Sequence, residues 1–229
     1  MKKQSFEVWP LAAMLGTAAL VLVFGIIANL STDGASDPFD RWLLQSFRDE
    51  MGRAAYPRWF AEAIRDVSAL GSAPVVSLIC GVVLGYLVMI RKRAAALLVL
   101  VAIAGGGILN NVLKSTFERP RPDFIEPLAS VSSASFPSGH ATFSAITYLT
   151  LAALLARTTP RLRLRLYAIA IGLLLTVLVG MTRVILGVHY PTDVLAGWCI
   201  GAAWSLLCWS VMLRLQRQGQ VESANDAAQ

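Results

Sequence analysis

Long apolar runs separated by short polar ones dominate this chain. Crossing a bilayer as a helix takes about 20 consecutive apolar residues, and six runs approach or reach that length: Val8–Leu30, Ala69–Ile90, Ala94–Leu113, Ala141–Ala156, Leu166–Thr182 and Val194–Leu213. The fourth and fifth are short. The fifth lengthens through residues 184–188 if Arg183 is tolerated, and the sixth starts at Pro191, so the spans are expected at about 8–30, 69–90, 94–113, 141–156, 166–188 and 191–213. The pattern predicts an all-α, polytopic membrane protein in which one six-helix transmembrane domain fills residues 1–229 and a polar tail occupies 214–229.

The first run follows Lys2 and Lys3, as a signal peptide would, but it is longer than the roughly 7–15 residues of an h-region and no A-x-A cleavage pattern follows. It is expected to stay as the first helix. Between the first two spans, Asp37-Pro38 reads as an N-cap with proline at the first helical position, and Phe39, Trp42, Leu43 and Phe47 recur at helical spacing. That predicts an amphipathic helix lying in the membrane interface, serving as an aromatic anchor or helping to admit a lipid.

Composition agrees with the pattern. The chain is 56% hydrophobic and 15% charged, against about 45–50% and about 25% for soluble domains. High hydrophobicity excludes disorder, and three cysteines, all inside apolar runs, exclude a disulfide-framed module. The net charge of +6 does not point to nucleic acid, because the 20 Lys and Arg are scattered between apolar runs. Their distribution sets orientation instead. Six crossings put the N-terminus, Arg91-Lys92-Arg93, the turn holding Arg157, Arg161, Arg163 and Arg165, and the tail on one side, with 11 cations and three acids. The other side has nine cations and 11 acids. The positive-inside rule makes the first side cytoplasmic, with both termini there. The outer side then carries the two long connections, 31–68 and 114–140, where a site is expected.

Candidate chemistry sits on those outer loops. The chain has two histidines, His140 and His189, each at an outer span boundary. Phe136-Pro137-Ser138-Gly139-His140 opens the fourth span, so free amides at a helix N-terminus, a serine hydroxyl and a glycine open to close approach converge where an anion would bind. An ordinary Ser/Gly helix start is the plainer reading of those residues alone. Arg183 interrupts an apolar run and needs compensation. Pro191 restarts the chain as a helix with Asp193 in its first turn, where the carboxylate reaches one nitrogen of His189 and leaves the other free as a nucleophile or base. Lys114 ends the third span, and Pro120 and Pro122 hold Arg121 so that it turns back toward the membrane. Three cations, an amide-rich turn and two histidines suit a phosphate dianion, one imidazole attacking phosphorus and the other protonating the leaving oxygen. No H-x-x-x-H, paired C-x-x-C or glycine-rich nucleotide loop is present, so no metal or cofactor is expected.

These segments resemble the signature of the type 2 phosphatidic acid phosphatase superfamily, K-x6-R-P, P-S-G-H and S-R-x5-H-x3-D. Here they read Lys114 to Arg121-Pro122, Pro137-Ser138-Gly139-His140, and Arg183 to His189 to Asp193, with Thr182 where the family commonly has serine. The resemblance implies a phosphohistidine at His189, orientation of that ring by Asp193, leaving-group protonation by His140, and phosphate binding by Lys114, Arg121, Ser138, Gly139 and Arg183. It implies a bacterial inner-membrane phosphatase acting in the bilayer on phosphatidylglycerol phosphate, phosphatidic acid or undecaprenyl diphosphate, with its site facing the periplasm or exterior.

Two alternatives stay open. A phosphotransferase passing phosphate to another lipid, such as lipid A, would use the same residues. A non-catalytic transporter or lipid-binding protein would place charges at the midplane and repeat its halves, and no such repeat is seen. The vanadate-dependent haloperoxidases share the motifs but are soluble.

Overall fold

The computed structural model describes residues 8–34, 36–49, 53–129, 131 and 133–218. Lys2, Lys3 and most of the tail lie outside the described residues. Eight helices follow in order: α1 Val8–Thr32, α2 Asp37–Gln45, α3 Arg58–Ala69, α4 Ala73–Met89, α5 Arg93–Phe117, α6 Gly139–Arg157, α7 Leu162–Ile185 and α8 Pro191–Arg217. Five of them, α1 and α5 to α8, are long and apolar enough to cross a membrane, and α3 with α4, bent by 43° at their junction, make a sixth candidate. No strand is present among the described residues.

Local signals set several boundaries. Proline occupies the first turn of α2, α4 and α8, where its missing N–H costs nothing and its fixed φ suits a helix. The N-cap of α2 is Ser36 and not Asp37, which lies one residue inside. Its inward face also differs from the apolar stripe expected: Asp40 and Leu44 are buried, Phe39 and Trp42 stay exposed, and Phe47 falls beyond the helix end. α5 continues one turn past Lys114 and ends where Glu118 turns left-handed at φ 42°.

The short fourth run becomes α6, the central helix. Half of its span is buried, against 17% for α1. Because its neighbours are protein instead of lipid, it affords a face of Ala141, Thr142, Ser144, Ala145, Thr147 and Thr150, all buried. Hydroxyls on that face pair across the interface, as Thr150 Oγ1 and Ser205 Oγ do at 2.6 Å. Small residues let helix backbones approach where the hydrophobic effect gives no drive. Gly197 and Gly201 of α8, spaced as G-x-x-x-G, meet α6 so closely that a Cβ would lie 2.8 Å from the Ser138 carbonyl oxygen and 2.7 Å from that of Thr142. This contact sets the spacing between the starts of α6 and α8.

The first connection folds back over the turn between α7 and α8. Arg48 NH1 donates to the Ile185 carbonyl at 3.1 Å and Tyr56 Oη to the same oxygen at 2.8 Å. A cation and a hydroxyl thus cap the C-terminus of α7, where the helix dipole favours them.

Gly201→Leu is expected to lower the thermal midpoint of the detergent-solubilised protein, by overpacking worth about 1–3 kcal/mol. Gly85→Ala, where a Cβ meets nothing within 4 Å, should leave the midpoint unchanged or raise it. Equal effects from both changes would refute the close contact.

Candidate active site

The start of α6 is bound to the start of α8 through backbone. Ser138, the N-cap of α6, is extended, and its N–H donates to the Asp193 carbonyl at 3.0 Å. Its hydroxyl does not cap the helix: Ser138 Oγ is fully buried with no partner among the described residues. At Gly139 a Cβ would sit 3.6 Å from Asn110 Nδ2 and 3.8 Å from Lys114 Cε. The missing side chain therefore leaves open the space beside the lysine. Lys114 Nζ donates to the Ala134 carbonyl, which draws the ammonium in toward the loop before α6.

On the facing side, Gly187 at φ +72° turns the chain between α7 and α8, a conformation that glycine adopts without strain. The turn sets Arg183 at the end of α7 and His189 just before α8. Arg183 is 4% exposed, donates through NH1 to Ser68 Oγ on α3 at 2.7 Å, and has a buried Nε with no partner among the described residues. His189 is 2% exposed, with Nδ1 3.4 Å from Asp193 Oδ2 and Nε2 3.3 Å from Arg121 NH1. With Nδ1–H turned to the carboxylate, the lone pair of Nε2 faces the guanidinium. Burial, the largest influence, pushes the His189 pKa down to about 4 against the pull of Asp193. Burial thus favours the uncharged form of the ring.

Asp193 has no solvent exposure. Oδ2 accepts the Tyr190 N–H at 2.9 Å and the Ser135 hydroxyl, and Oδ1 accepts Arg119 NH1 at 2.7 Å. Arg121 is anchored by Nε donating to the Ser133 carbonyl at 2.9 Å and by NH1 donating to the Val188 carbonyl.

All eight residues singled out in the sequence meet at this end of the bundle: Lys114, Arg121, Ser138, Gly139, His140, Arg183, His189 and Asp193. Arg183, His189, Arg121 and Lys114 all lie close enough to His140 to act on its charge. Thr182, standing where serine is common, donates its hydroxyl back to the Val179 carbonyl at 2.6 Å. Arg119, Ser135, Thr192 and Asp40 were not singled out, and they complete the surroundings of Asp193. Arg119 had a readable signal, since it lies two residues before Arg121 in an extended Arg-Pro-Arg-Pro segment, where side chains two apart leave on the same side.

The arrangement is a cationic niche with buried donors lacking acceptors, beside a neutral imidazole. Its chemistry suits a tetrahedral oxyanion whose equatorial oxygens take up those donors. Among the described residues, no three His, Cys, Asp or Glu side chains converge as a metal-ligand set.

Apolar spans and an oxyanion niche at their ends define a multi-pass membrane protein of a known class: the chain belongs to the PAP2 superfamily, which it matches over residues 95–217. It is 38% identical over 146 residues to phosphatidylglycerophosphatase B of Bacillus subtilis, covering 62% of this chain and 70% of that protein. It is 40% identical over 117 residues to a lipid A 1-phosphatase of Rhizobium johnstonii, covering 47% of this chain and 44% of that one. The fold matches the crystal structure of a transmembrane PAP2-type phosphatidylglycerolphosphate phosphatase from Bacillus subtilis, with a TM-score of 0.80 and 31% identity over 88% of this chain and 98% of that chain. Aquifex aeolicus LpxE matches with a TM-score of 0.56 and 26% identity, over 75% and 93% of the two chains.

A buried hydroxyl without a partner costs about 1–3 kcal/mol, so Ser138→Ala is expected to fold at least as stably as the parent. A lower melting temperature in detergent would mean that the hydroxyl is satisfied after all.

Proposed function

We propose that this protein hydrolyses a phosphate ester of a membrane lipid, with phosphatidylglycerol phosphate as the first candidate and phosphatidic acid and undecaprenyl diphosphate in the same class. One observation carries the reading: Ser138 Oγ and Arg183 Nε are buried donors with no acceptor among the described residues, at the niche where His189 Nε2 faces Arg121. A phosphate supplies the missing acceptors. The similarity to phosphatidylglycerophosphatase B of Bacillus subtilis supports the choice of first substrate.

In the proposed reaction, His189 Nε2 attacks phosphorus while the bond from phosphorus to the lipid oxygen breaks. His140 donates a proton to that departing oxygen. The product is a phosphohistidine, which water attacks as His140 takes back a proton, releasing inorganic phosphate and restoring the ring. Asp193 holds Nδ1–H, fixing the tautomer and stabilising the cation that forms during attack. Lys114, Arg121, Arg183, the Ser138 hydroxyl and the amides around Gly139 stabilise the equatorial oxygens. The scheme needs no metal ion.

The positive-inside reading orients the chain with both ends cytoplasmic and the niche toward the outer leaflet. The helix order supports this, since Arg91, Lys92, Arg157 and Arg161 lie at the ends of α4 to α7 remote from the niche.

Purified protein in detergent, without added divalent metal, should release phosphate from phosphatidylglycerol phosphate faster than from phosphatidic acid or undecaprenyl diphosphate. His189→Ala should abolish release, and Asp193→Asn should lower kcat by about 10³–10⁴. Turnover retained in His189→Ala would remove the nucleophile. In intact cells, an impermeant maleimide should label a cysteine placed at Glu62, exposed on α3, and not one placed at Arg163. The reverse pattern would invert the orientation.

A further inference from the structure

The reaction proposed for His189 and Asp193 leaves one buried network unused. Asp40, on the nine-residue helix α2, has no solvent exposure. Its Oδ1 accepts the Thr192 N–H at 3.0 Å, and its Oδ2 accepts the Thr192 hydroxyl at 2.7 Å and Arg119 NH2 at 2.9 Å. Arg119 is 10% exposed and spans both carboxylates, because its NH1 donates to Asp193 Oδ1 at 2.7 Å and to Thr192 Oγ1 at 2.8 Å. Its guanidinium also stacks on the Tyr190 ring at 4.1 Å. The chain of contacts runs from α2 through Arg119 to Asp193 and then to His189.

We infer that Asp40 and Arg119 are positioning residues for the reaction, which fix the Asp193 carboxylate against His189 and set how strongly it supports that imidazole. The inference rests on the reading of His189 as nucleophile. Geometry gives the reason. The Tyr190 N–H and the Ser135 hydroxyl hold only Oδ2, about which the carboxylate could pivot, whereas Oδ1 is held by a guanidinium that a second buried carboxylate holds in turn. The planar fork of arginine can bridge two carboxylates in fixed directions, which a lysine cannot do. Burial works against the charge on Arg119, but Asp193 and Asp40 outweigh it and raise its pKa.

The network also sets charge. Asp193 on α8, Arg121 on the loop after α5, Arg183 on α7 and His140 on α6 act on His189 directly, Lys114 on α5 and Arg119 act on Asp193, and Asp40 of α2 acts on Arg119. The partly exposed Asp37 lies 3.7 Å from Arg119 NH2. Removing the Arg119 charge leaves Asp193 free to hold a proton on His189 more strongly. Removing the Asp40 charge leaves Arg119 to draw on Asp193 alone. The two changes must therefore move the His189 titration in opposite directions, a signature that loss of packing does not produce.

The chain has only two histidines, so NMR of the imidazole-labelled protein in detergent follows His189 directly, with His140→Gln supplying the assignment. Arg119→Gln is expected to raise the His189 titration midpoint and Asp40→Asn to lower it. Each should reduce kcat by about 10- to 100-fold, as small misplacements of catalytic groups do, with KM little changed. Arg119→Lys should keep the midpoint near the parent's while kcat stays low. If either single variant fails to fold, the double variant Asp40→Asn/Arg119→Gln loses the nearer cation together with the farther anion, and it should titrate above the parent with kcat still reduced. Midpoints that move together or not at all, or a double variant with parental kcat, would overturn the inference. Full turnover in His189→Ala would instead overturn the reading of the nucleophile.

Discussion

Asp193 is an acid buried without access to water, and the site end of the bundle is organised by the need to satisfy it. An unpaired charge in such a place is strongly destabilising, by about 3–5 kcal/mol when one partner is lost. Its partners come from separate parts of the chain: the Tyr190 amide before α8, the Ser135 hydroxyl before α6, Arg119 after α5 and, behind Arg119, Asp40 of α2. Four segments with no reason of their own to meet are thereby brought to one point. His189 is the remaining neighbour, and its burial favours the neutral ring even though a carboxylate lies beside it.

The helices and the loops divide the work. α6 and α8 supply a rigid frame through direct backbone contact, and the cations stand around it, Lys114 near the end of α5, Arg183 near the end of α7, and Arg119 and Arg121 on the loop after α5. The first connection belongs to the frame more than to the membrane surface. Through Asp40, Arg48, Tyr56 and Ser68 it reaches the α7–α8 turn at Thr192, Ile185 and Arg183. Its exposed aromatics, Phe39, Trp42 and Trp59, face away from these contacts, so one segment presents rings to the surroundings and carboxylate and cation to the interior.

The spans were legible because run length and the cost of charge in lipid leave few alternatives, and the α6 run, least like a membrane helix, is explained by its central place. The break between α3 and α4 went unread although Gly71, Ser72 and Pro74 mark it, because the apolar run continues across them. Motif spacing brought out the residues around His189, and prolines or glycines mark some of them directly: Arg121 lies between Pro120 and Pro122, and Ser138 and His140 flank Gly139 after Pro137. Asp40 gave no such signal. Its partners lie 79 and 152 positions away, and a carboxylate at the start of a short helix reads as an exposed cap until the tertiary contact is known. The glycine pair of α8 was hidden for the opposite reason: glycines are frequent in membrane helices, and only the facing backbone tells which of them carry a contact.

That pair has a mechanical meaning. Where Gly197 and Gly201 meet α6, the gap between two helices is the thickness of their backbones, with no rotamer that could swell or shrink it. Side chains facing lipid adjust to every change of acyl composition, and a separation set by side chains would drift with them. A separation set by peptide groups behaves as a gauge block, so the chemistry at the helix ends keeps one geometry while the surrounding bilayer thickens, thins or changes its fluidity.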